Sequence, residues 1–206
     1  AIPVTMAGGK IILTPSVTVI KGDVDGSGNV EPGDAFLTLR IAVGLIQATE
    51  AQKEAADMDN NGTVEPGDAF LVLRKAVGLI PAPPLVDSSP ATSLKVRLSQ
   101  KQGVNGDVHA LLAVDKPQAV GSAGVKIAYD ATALAVADVE AANQDGVLLE
   151  ANTDTPGIVQ LATASLNAFD QEVLVTIHFK SLQHDKATVE LREIKFFGLD
   201  SFPIDA

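Results

Sequence analysis

The chain has 206 residues, a formal net charge of −11, a hydrophobic fraction of 46% and no cysteine. This length allows one or two domains with a real core, and the lack of cysteine excludes a disulfide framework or a thiolate metal site. The acidic balance and an aromatic fraction of only 4% argue against nucleic-acid binding, and no apolar run is long enough for a membrane-spanning helix.

The N-terminal segment, residues 1–20, is predicted to form β structure. Lys10–Thr14 and Ser16–Ile20 are rich in β-branched and apolar residues, and Pro15 separates them. The first residue is not methionine, and no basic region precedes an apolar stretch as in a signal peptide. We therefore expect the sequence to be a mature or excised segment.

Two loops of matching pattern follow, Asp23–Asp34 and Asp57–Asp68. Each has polar side chains at positions 1, 3 and 5, glycine at position 6 and a carboxylate at position 12, which is the pattern of an EF-hand calcium loop. Gly28 and Gly62 stand at the sharp turn, where a residue without Cβ is least strained. A single match could be an Asx-rich turn, but two matches followed by the same apolar helix favour calcium binding.

We expect each loop to hold one calcium ion through side-chain oxygens and one backbone carbonyl, which belongs to Asn29 or Thr63. Glu31 and Glu65, at position 9, are candidates to reach the ion through water. The alternative is a pair of solvated acidic turns without an ion. The candidate ligands are Asp23, Asp25, Ser27, Asn29 and Asp34 in the first loop, and Asp57, Asp59, Asn61, Thr63 and Asp68 in the second.

A short helix is predicted after each loop, over Asp34–Ile46 and Asp68–Ile80. Val30–Ile46 and Val64–Ile80 differ only at the pairs Thr38/Val72 and Ile41/Lys75, which predicts internal two-fold pseudosymmetry. Helices this short are unstable alone, so we expect their apolar stripes to pack on each other while calcium holds the loops. The stripe of the first helix is formed by Phe36, Leu39, Val43 and Ile46.

A further short helix is predicted over Ala48–Ala56, with Thr49 as its N-cap. Residues 82–93, rich in proline and serine, are predicted to be an extended linker and a domain boundary. From Leu94 onward short β-rich runs separated by turn residues predict a two-sheet sandwich. The predicted strands are Leu94–Ser99, Val108–Val114, Gly124–Tyr129, Ala133–Val139, Ile158–Ala164, Val173–Phe179 and Ala187–Leu191.

Residues 22–81 resemble a type I dockerin. The resemblance rests on two calcium loops of the form D-x-[DN]-x-x-G-x-V-x-x-x-D, each followed by a helix, with aspartate at position 12 and no full entering helix on the first loop. Ser27 and Asn61 replace the usual aspartate at position 5, which should weaken calcium binding somewhat. The fold class is thus a small all-α calcium-binding module joined to an all-β sandwich.

Residues 94–206 resemble a cohesin, the partner domain of dockerins, which implies a nine-stranded jelly-roll sandwich. The matching segments are Gly106-Asp107, Gly124–Val136, Val173–Lys180 and Ile194–Gly198. A cohesin would continue with one more strand after Ala206, and the N-terminal segment reads as its natural continuation. We therefore expect Gly9–Val19 to complete the sandwich of the same or a neighbouring chain; the alternative is an arm from a different upstream module.

The dockerin resemblance also implies a partner surface, formed by loop positions 10 and 11 and by the outward face of each following helix. The alternative is that the apolar members of this set pack inside the module. Because of the pseudosymmetry, either half could face the partner. The candidate residues are Pro32, Gly33, Leu37, Arg40 and Ile41, with their equivalents Pro66, Gly67, Leu71, Arg74 and Lys75.

No enzyme is expected. The three histidines, His109, His178 and His184, share no spacing typical of a zinc site, and no nucleophile, metalloprotease or phosphate-loop motif is present. The sequence predicts a non-catalytic calcium-dependent assembly module, which the resemblance places outside a prokaryotic cell with cohesin or dockerin domains of the same or other chains as partners. The alternative function is a carbohydrate-binding or adhesive sandwich with an attached calcium module.

Overall fold

The computed structural model describes residues 4–7, 10–13, 19–79, 94–103, 106–141, 145–182, 187–199 and 203–204. The linker predicted over residues 82–93 and the residue His184 lie outside the described residues. Three helices come first: α1 (Pro32–Ala42), α2 (Glu50–Ala56) and α3 (Pro66–Ala76). No helix among the described residues is both long enough and apolar enough to cross a membrane.

Local sequence signals set the helix boundaries. Thr49 caps α2 as predicted, since its hydroxyl accepts a hydrogen bond from the backbone of Gln52 at 3.2 Å. The helices α1 and α3 begin two residues earlier than predicted because a proline occupies the first turn, where its missing N–H costs nothing. They end at Ala42 and Ala76, before Gly44 and Gly78 in the left-handed region with φ of 75° and 76°.

The β region is a sandwich of two antiparallel sheets. The first sheet has five strands in the order β11-β10-β5-β8-β7, and the second has four in the order β3-β4-β9-β6. The strands are β3 (Val96–Gln102), β4 (Val108–Val114), β5 (Ser122–Tyr129), β6 (Leu134–Ala141), β7 (Val147–Asn152), β8 (Ile158–Ser165), β9 (Val173–Ser181), β10 (Val189–Phe197) and β11 (Pro203–Ile204).

The core lies between the two sheets. Val125 and Ile127 of β5 are buried there, as their alternation with Lys126 predicts, and they share one apolar cluster with Leu112, Ile177 and Phe179 of the second sheet. The alternate positions of β5 and β8 therefore point to the outer face of the first sheet. This outer face carries Gly124, Lys126, Gln160, Ala162 and Ala164.

The N-terminal segment contains two strands, β1 (Val4–Ala7) and β2 (Lys10–Leu13). They pair antiparallel with each other, Val4 opposite Leu13, and form a separate two-stranded sheet in this chain. Residues 14–18, which hold most of the second predicted β run, lie outside the described residues.

Candidate calcium loops and docking interface

The carboxylate at position 12 organises the first loop. Asp34 is only 2% exposed, and its Oδ1 accepts hydrogen bonds from the backbone N–H groups of Val24 at 2.8 Å and Asp25 at 3.1 Å. Its Oδ2 accepts from the backbone of Glu31 at 2.8 Å. One side chain thus ties the start of the loop to the first turn of α1, where the helix dipole also favours a negative charge.

Asp68 plays the same part in the second loop. Its carboxylate accepts hydrogen bonds from the backbone N–H groups of Met58 at 2.7 Å and Glu65 at 2.8 Å. Burial raises the pKa of Asp68 from 3.8 to about 6 despite these bonds. Because this folded-state pKa is raised, the stability that the protonated group contributes is present below about pH 4 and is lost as pH rises through about 6.

Each loop brings three carboxylates together. Oxygens of Asp23, Asp25 and Asp34 lie within 4.8 Å of one another, and so do those of Asp57, Asp59 and Asp68. Within the part of the chain that the structure describes, the Oδ1 atom of Asp23 is buried without a hydrogen-bond partner, which is costly for a carboxylate oxygen unless a cation lies beside it. An all-oxygen ligand set with such an orphaned atom fits a hard divalent cation.

The remaining candidate ligands also lie in the two loops, all of them exposed. The backbone N–H of Ser27 donates to Asp25 at 2.8 Å, and this bond holds the pKa of Asp25 below its usual value. Ser27 Oγ contacts the carbonyl oxygen of Asn29 at 3.4 Å, so positions 5 and 7 are adjacent. In the second loop Asn61 Oδ1 accepts from the backbone of Thr63 at 2.8 Å.

The helical module packs on the outer face of the first sheet. Leu39 of α1, Val43 directly after this helix and Phe70 of α3 form one buried cluster with Ala162 and Ala164 of β8. Phe70 is fully buried, and both alanines are no more than 1% exposed. The face of β8 that would otherwise meet water is therefore covered by the module of the same chain.

The first turn of α3 makes the closest approach to the sheet. A Cβ added at Gly67 would lie 3.0 Å from Cδ1 of Phe197, and one added at Gly124 would lie 3.2 Å from Cγ of Pro66. Both contacts leave no room for a larger residue without displacement of a buried ring. Close packing here therefore depends on glycine on both surfaces.

Polar contacts surround this apolar centre. Arg40 Nε lies 3.5 Å from Glu150 Oε1, and Lys195 Nζ lies 2.6 Å from Glu65 Oε1. Burial raises the pKa of Glu150, and Arg40 opposes that rise; the bond to Glu65 raises the pKa of Lys195. The interface thus has the apolar centre and polar rim that are typical of protein–protein contacts.

The predicted partner residues are divided between three environments. Arg40, Pro66 and Gly67 contact the sandwich, and Leu37 and Ile41 pack inside the module against Val24, Ala55 and Ala56. The other five residues have different surroundings. Pro32 and Gly33 are exposed and Leu71 is half-buried. Arg74 stacks on Phe70 with its Cζ 5.4 Å from the ring centroid, and Lys75 donates a hydrogen bond to the carbonyl of Lys21 at 2.5 Å.

Sequence reasoning missed the main apolar contacts of this interface. The sequence predicts that Leu39 and Val43 pack between the two helices, and they do share a cluster with Ala69 and Phe70. The same cluster also contains Ala162 and Ala164 of the sandwich. Phe36, expected in the buried stripe, is 40% exposed. Helical periodicity identifies the apolar face of a helix, and it contains no information on which neighbour covers that face.

Two histidines of the sandwich also come together, which their sequence spacing concealed. His109 of β4 and His178 of β9 are directly opposite in the antiparallel ladder, with ring centroids 4.6 Å apart. His178 Nε2 lies 3.2 Å from Glu140 Oε2 of β6. This group lies on the second sheet, and the module packs on the first.

Two family models match the chain. The model of the dockerin type I domain matches residues 21–75, and that of the cohesin domain matches residues 93–200. No curated protein matches the chain significantly.

Among solved structures, the sixth cohesin of scaffoldin B from Acetivibrio cellulolyticus, in complex with a dockerin mutant, is 17% identical and covers 56% of this chain and 93% of that one, with a TM-score of 0.48. A cohesin module of a family 33 glycoside hydrolase from Clostridium perfringens is 18% identical over 57% and 90% of the two chains, with a TM-score of 0.46. A non-cellulosomal cohesin from Archaeoglobus fulgidus is 15% identical over 55% and 83%, with a TM-score of 0.45.

A pH dependence of cation binding follows from the raised pKa of Asp68. A cation binds the charged carboxylate, so protonation below about pH 6 competes with it. We expect the affinity of the second loop for calcium to fall by about tenfold between pH 7 and pH 5. Calorimetric titration of the wild-type chain and of Asp68→Asn measures this; an affinity that stays constant over that range would contradict the expectation.

Proposed function

We propose that calcium controls the assembly of this chain, which belongs to the cohesin family and carries a dockerin type I domain before its cohesin domain. The chain is a non-catalytic assembly module, because dockerin and cohesin domains form such modules. In our proposal two calcium ions fold the dockerin, and its helices α1 and α3 then form the surface that docks on a cohesin sheet.

The observation that carries the calcium assignment is the convergence of three carboxylates in each loop. In the first loop, Asp23 Oδ1 is also buried without a hydrogen-bond partner among the described residues. Like charges at such distances repel, and a divalent ion between them converts the repulsion into attraction. The proposed ligands are the ten residues named from the sequence. Among them Asn29 and Thr63 would each bind through the backbone carbonyl, and water would complete the coordination of each ion.

Contacts between the two loops support their action as one unit. The backbone N–H of Gly22 donates to the carbonyl of Ala55 at 2.8 Å, and Lys21 Nζ donates to the carbonyl of Asp57 at 2.5 Å. These bonds join the two residues before the first loop to the end of α2 and to the first residue of the second loop. An ion in one loop would therefore also restrain the entrance to the other.

The proposed docking pair is the α1–α3 face of the dockerin and the outer face of the first cohesin sheet. Leu39, Val43 and Phe70 on one side and Ala162 and Ala164 on the other support this pairing. The partners are cohesin or dockerin domains of the same or of other chains. Cellulosome modules of these families typically act outside the cell, so we propose an extracellular or cell-surface location in a prokaryote, which protease treatment of intact cells would test.

We further propose the domain boundaries 22–81 for the dockerin, 82–93 for the linker and 94–206 for the cohesin, with residues 1–20 completing a sandwich. Open strand edges support the proposal that residues 1–20 complete a sandwich. Among the described strands, β3 pairs only with β4, and β11 covers only Phe196 and Phe197 of the outer edge of β10. An open edge readily accepts a further strand, from the same chain or from a neighbour.

Removal of calcium should unfold the dockerin. With free calcium at about 100 times the dissociation constant, each ion contributes about 2.7 kcal/mol to stability. We expect chelation to reduce the helical circular-dichroism signal and the melting temperature. Asp23→Ala and Asp57→Ala should each remove one bound ion, whereas Glu54→Ala, an exposed acid of α2, should remove none. Unchanged helicity and melting temperature on chelation would refute the calcium assignment.

The ion pair between Arg40 and Glu150 tests the docking surface. Its side chains are 42% and 15% exposed, so we expect a coupling of roughly 0.5–1 kcal/mol. Arg40→Glu and Glu150→Arg should each lower the melting temperature in calcium, and the double exchange should restore part of the loss. Arg74→Glu combined with Glu150→Arg is the matched control and should give no recovery. Equal recovery in both pairs would exclude a specific contact at Arg40.

Deletion of residues 1–18 tests the role of the N-terminal segment and spares Val19, which packs against the dockerin core. If the segment covers an open sandwich edge, the deletion should lower the melting temperature of the sandwich measured in chelator. Deletion of residues 1–8 keeps the proposed strand and serves as the control. A sandwich that melts identically in all three proteins would contradict the proposal.

A further inference from the structure

We infer that the partner of this cohesin sheet is the dockerin of the same chain, docked in one orientation, with Pro66, Gly67 and Phe70 on the sheet and their pseudosymmetric equivalents left free. This inference rests on the proposed docking function and names its partner. Its consequence is that a calcium-loaded chain has its own docking sheet occupied, so a dockerin from elsewhere must displace the resident one.

The outer face of the first sheet fits the residues at the start of α3. A Cβ at Gly124 would lie 3.2 Å from Cγ of Pro66. A Cβ at Gly121 would lie 3.3 Å from Cε2 of Phe70, but it would first meet the backbone carbonyl oxygen of Gly198, at 2.9 Å. Glycine in or beside a strand weakens it and often marks the close approach of another backbone or ligand. Here Gly124 leaves a recess that the proline ring at the start of α3 occupies, and the ring of Phe70 lies beside Gly121.

The two halves of the dockerin differ in environment, although their sequences are nearly identical. Phe70 is fully buried, whereas its equivalent Phe36 is 40% exposed. Pro66 and Gly67 are buried, while Pro32 and Gly33 are exposed, and a Cβ at Gly33 would meet nothing within 4 Å. The start of α3 is therefore the docked end, and the start of α1 is free.

The opposite end of α1 fixes the orientation. The side-chain amide of Asn152 donates to the carbonyl of Val43 at 3.0 Å, and that of Gln160 donates to the carbonyl of Ala42 at 3.5 Å. These carbonyls belong to the last turn of α1 and have no partner within the helix. The sandwich thus caps α1 at its C-terminal end and receives α3 at its N-terminal end.

Connection within one chain favours this partner over a second copy. Residues 80–93 join Leu79 to Leu94, and at about 3.3–3.6 Å per residue they reach at most roughly 50 Å. A short tether gives an effective concentration in the millimolar range. Docking within the chain should therefore prevail over docking between chains at micromolar concentrations.

The test uses the full chain in calcium, with small-angle scattering for its dimensions and light scattering for its mass. Gly67→Leu and Gly33→Leu are matched variants, since both place a good helix former at the same position of equivalent helices. We expect Gly67→Leu to raise the fraction of extended chains at least tenfold, and Gly33→Leu to leave the wild-type dimensions. Gly124→Val should reproduce the opening from the sheet side while suiting a strand.

The mass of the wild-type chain should stay that of a monomer on dilution. Equal effects of the two leucine variants would overturn the single orientation, and a calcium-dependent dimer would overturn docking within the chain. The helical circular-dichroism signal of each variant in calcium shows whether its dockerin is folded. If calcium does not fold even the wild-type dockerin, the proposed function fails, and this result is distinct from the two above.

Discussion

The structure depends on two buried carboxylates, Asp34 and Asp68. Each binds the backbone of its loop and of the first turn of the following helix, and each is only 2% exposed. Each of them lies close to two further carboxylates of its own loop, so like charges repel one another there. In the proposed function a divalent cation would relieve this repulsion, and ion binding, loop geometry and the positions of α1 and α3 would then be one coupled equilibrium.

The docking face follows from the same coupling. Leu39 of α1, Val43 directly after it and Phe70 of α3 form this face. Helices of 11 residues are marginal alone, so in the proposed function closure of both loops would hold the face together. The sandwich then breaks the pseudosymmetry of the module. Between Val30–Ile46 and Val64–Ile80 only Thr38/Val72 and Ile41/Lys75 differ, and Ile41 and Val72 lie in the interior of the module. The contact of Phe70 with the sandwich therefore accounts for its greater burial than that of Phe36.

Much of this could be predicted from the sequence because the signals are local. The loop pattern, the N-cap at Thr49 and the alternation around Val125 and Ile127 act within a few residues, and the structure has the corresponding loops, helix and strand. Strand β7 (Val147–Asn152) was missed because every one of its residues is half-buried and no alternation marks it. The pairing of His109 with His178 was missed because strand register joins residues far apart in sequence.

The outer face of the first sheet shows why the partner could not be inferred from periodicity. A solvated sheet face normally alternates polar residues outward, yet Gly124, Ala162 and Ala164 stand at those positions. Small residues are poor strand formers and give little stability in water. Their use is reasonable only where another surface approaches closely, and the rings of Pro66 and Phe70 meet that condition. The small residues on the outer face of the sandwich and the helices of the dockerin thus cover each other in one contact.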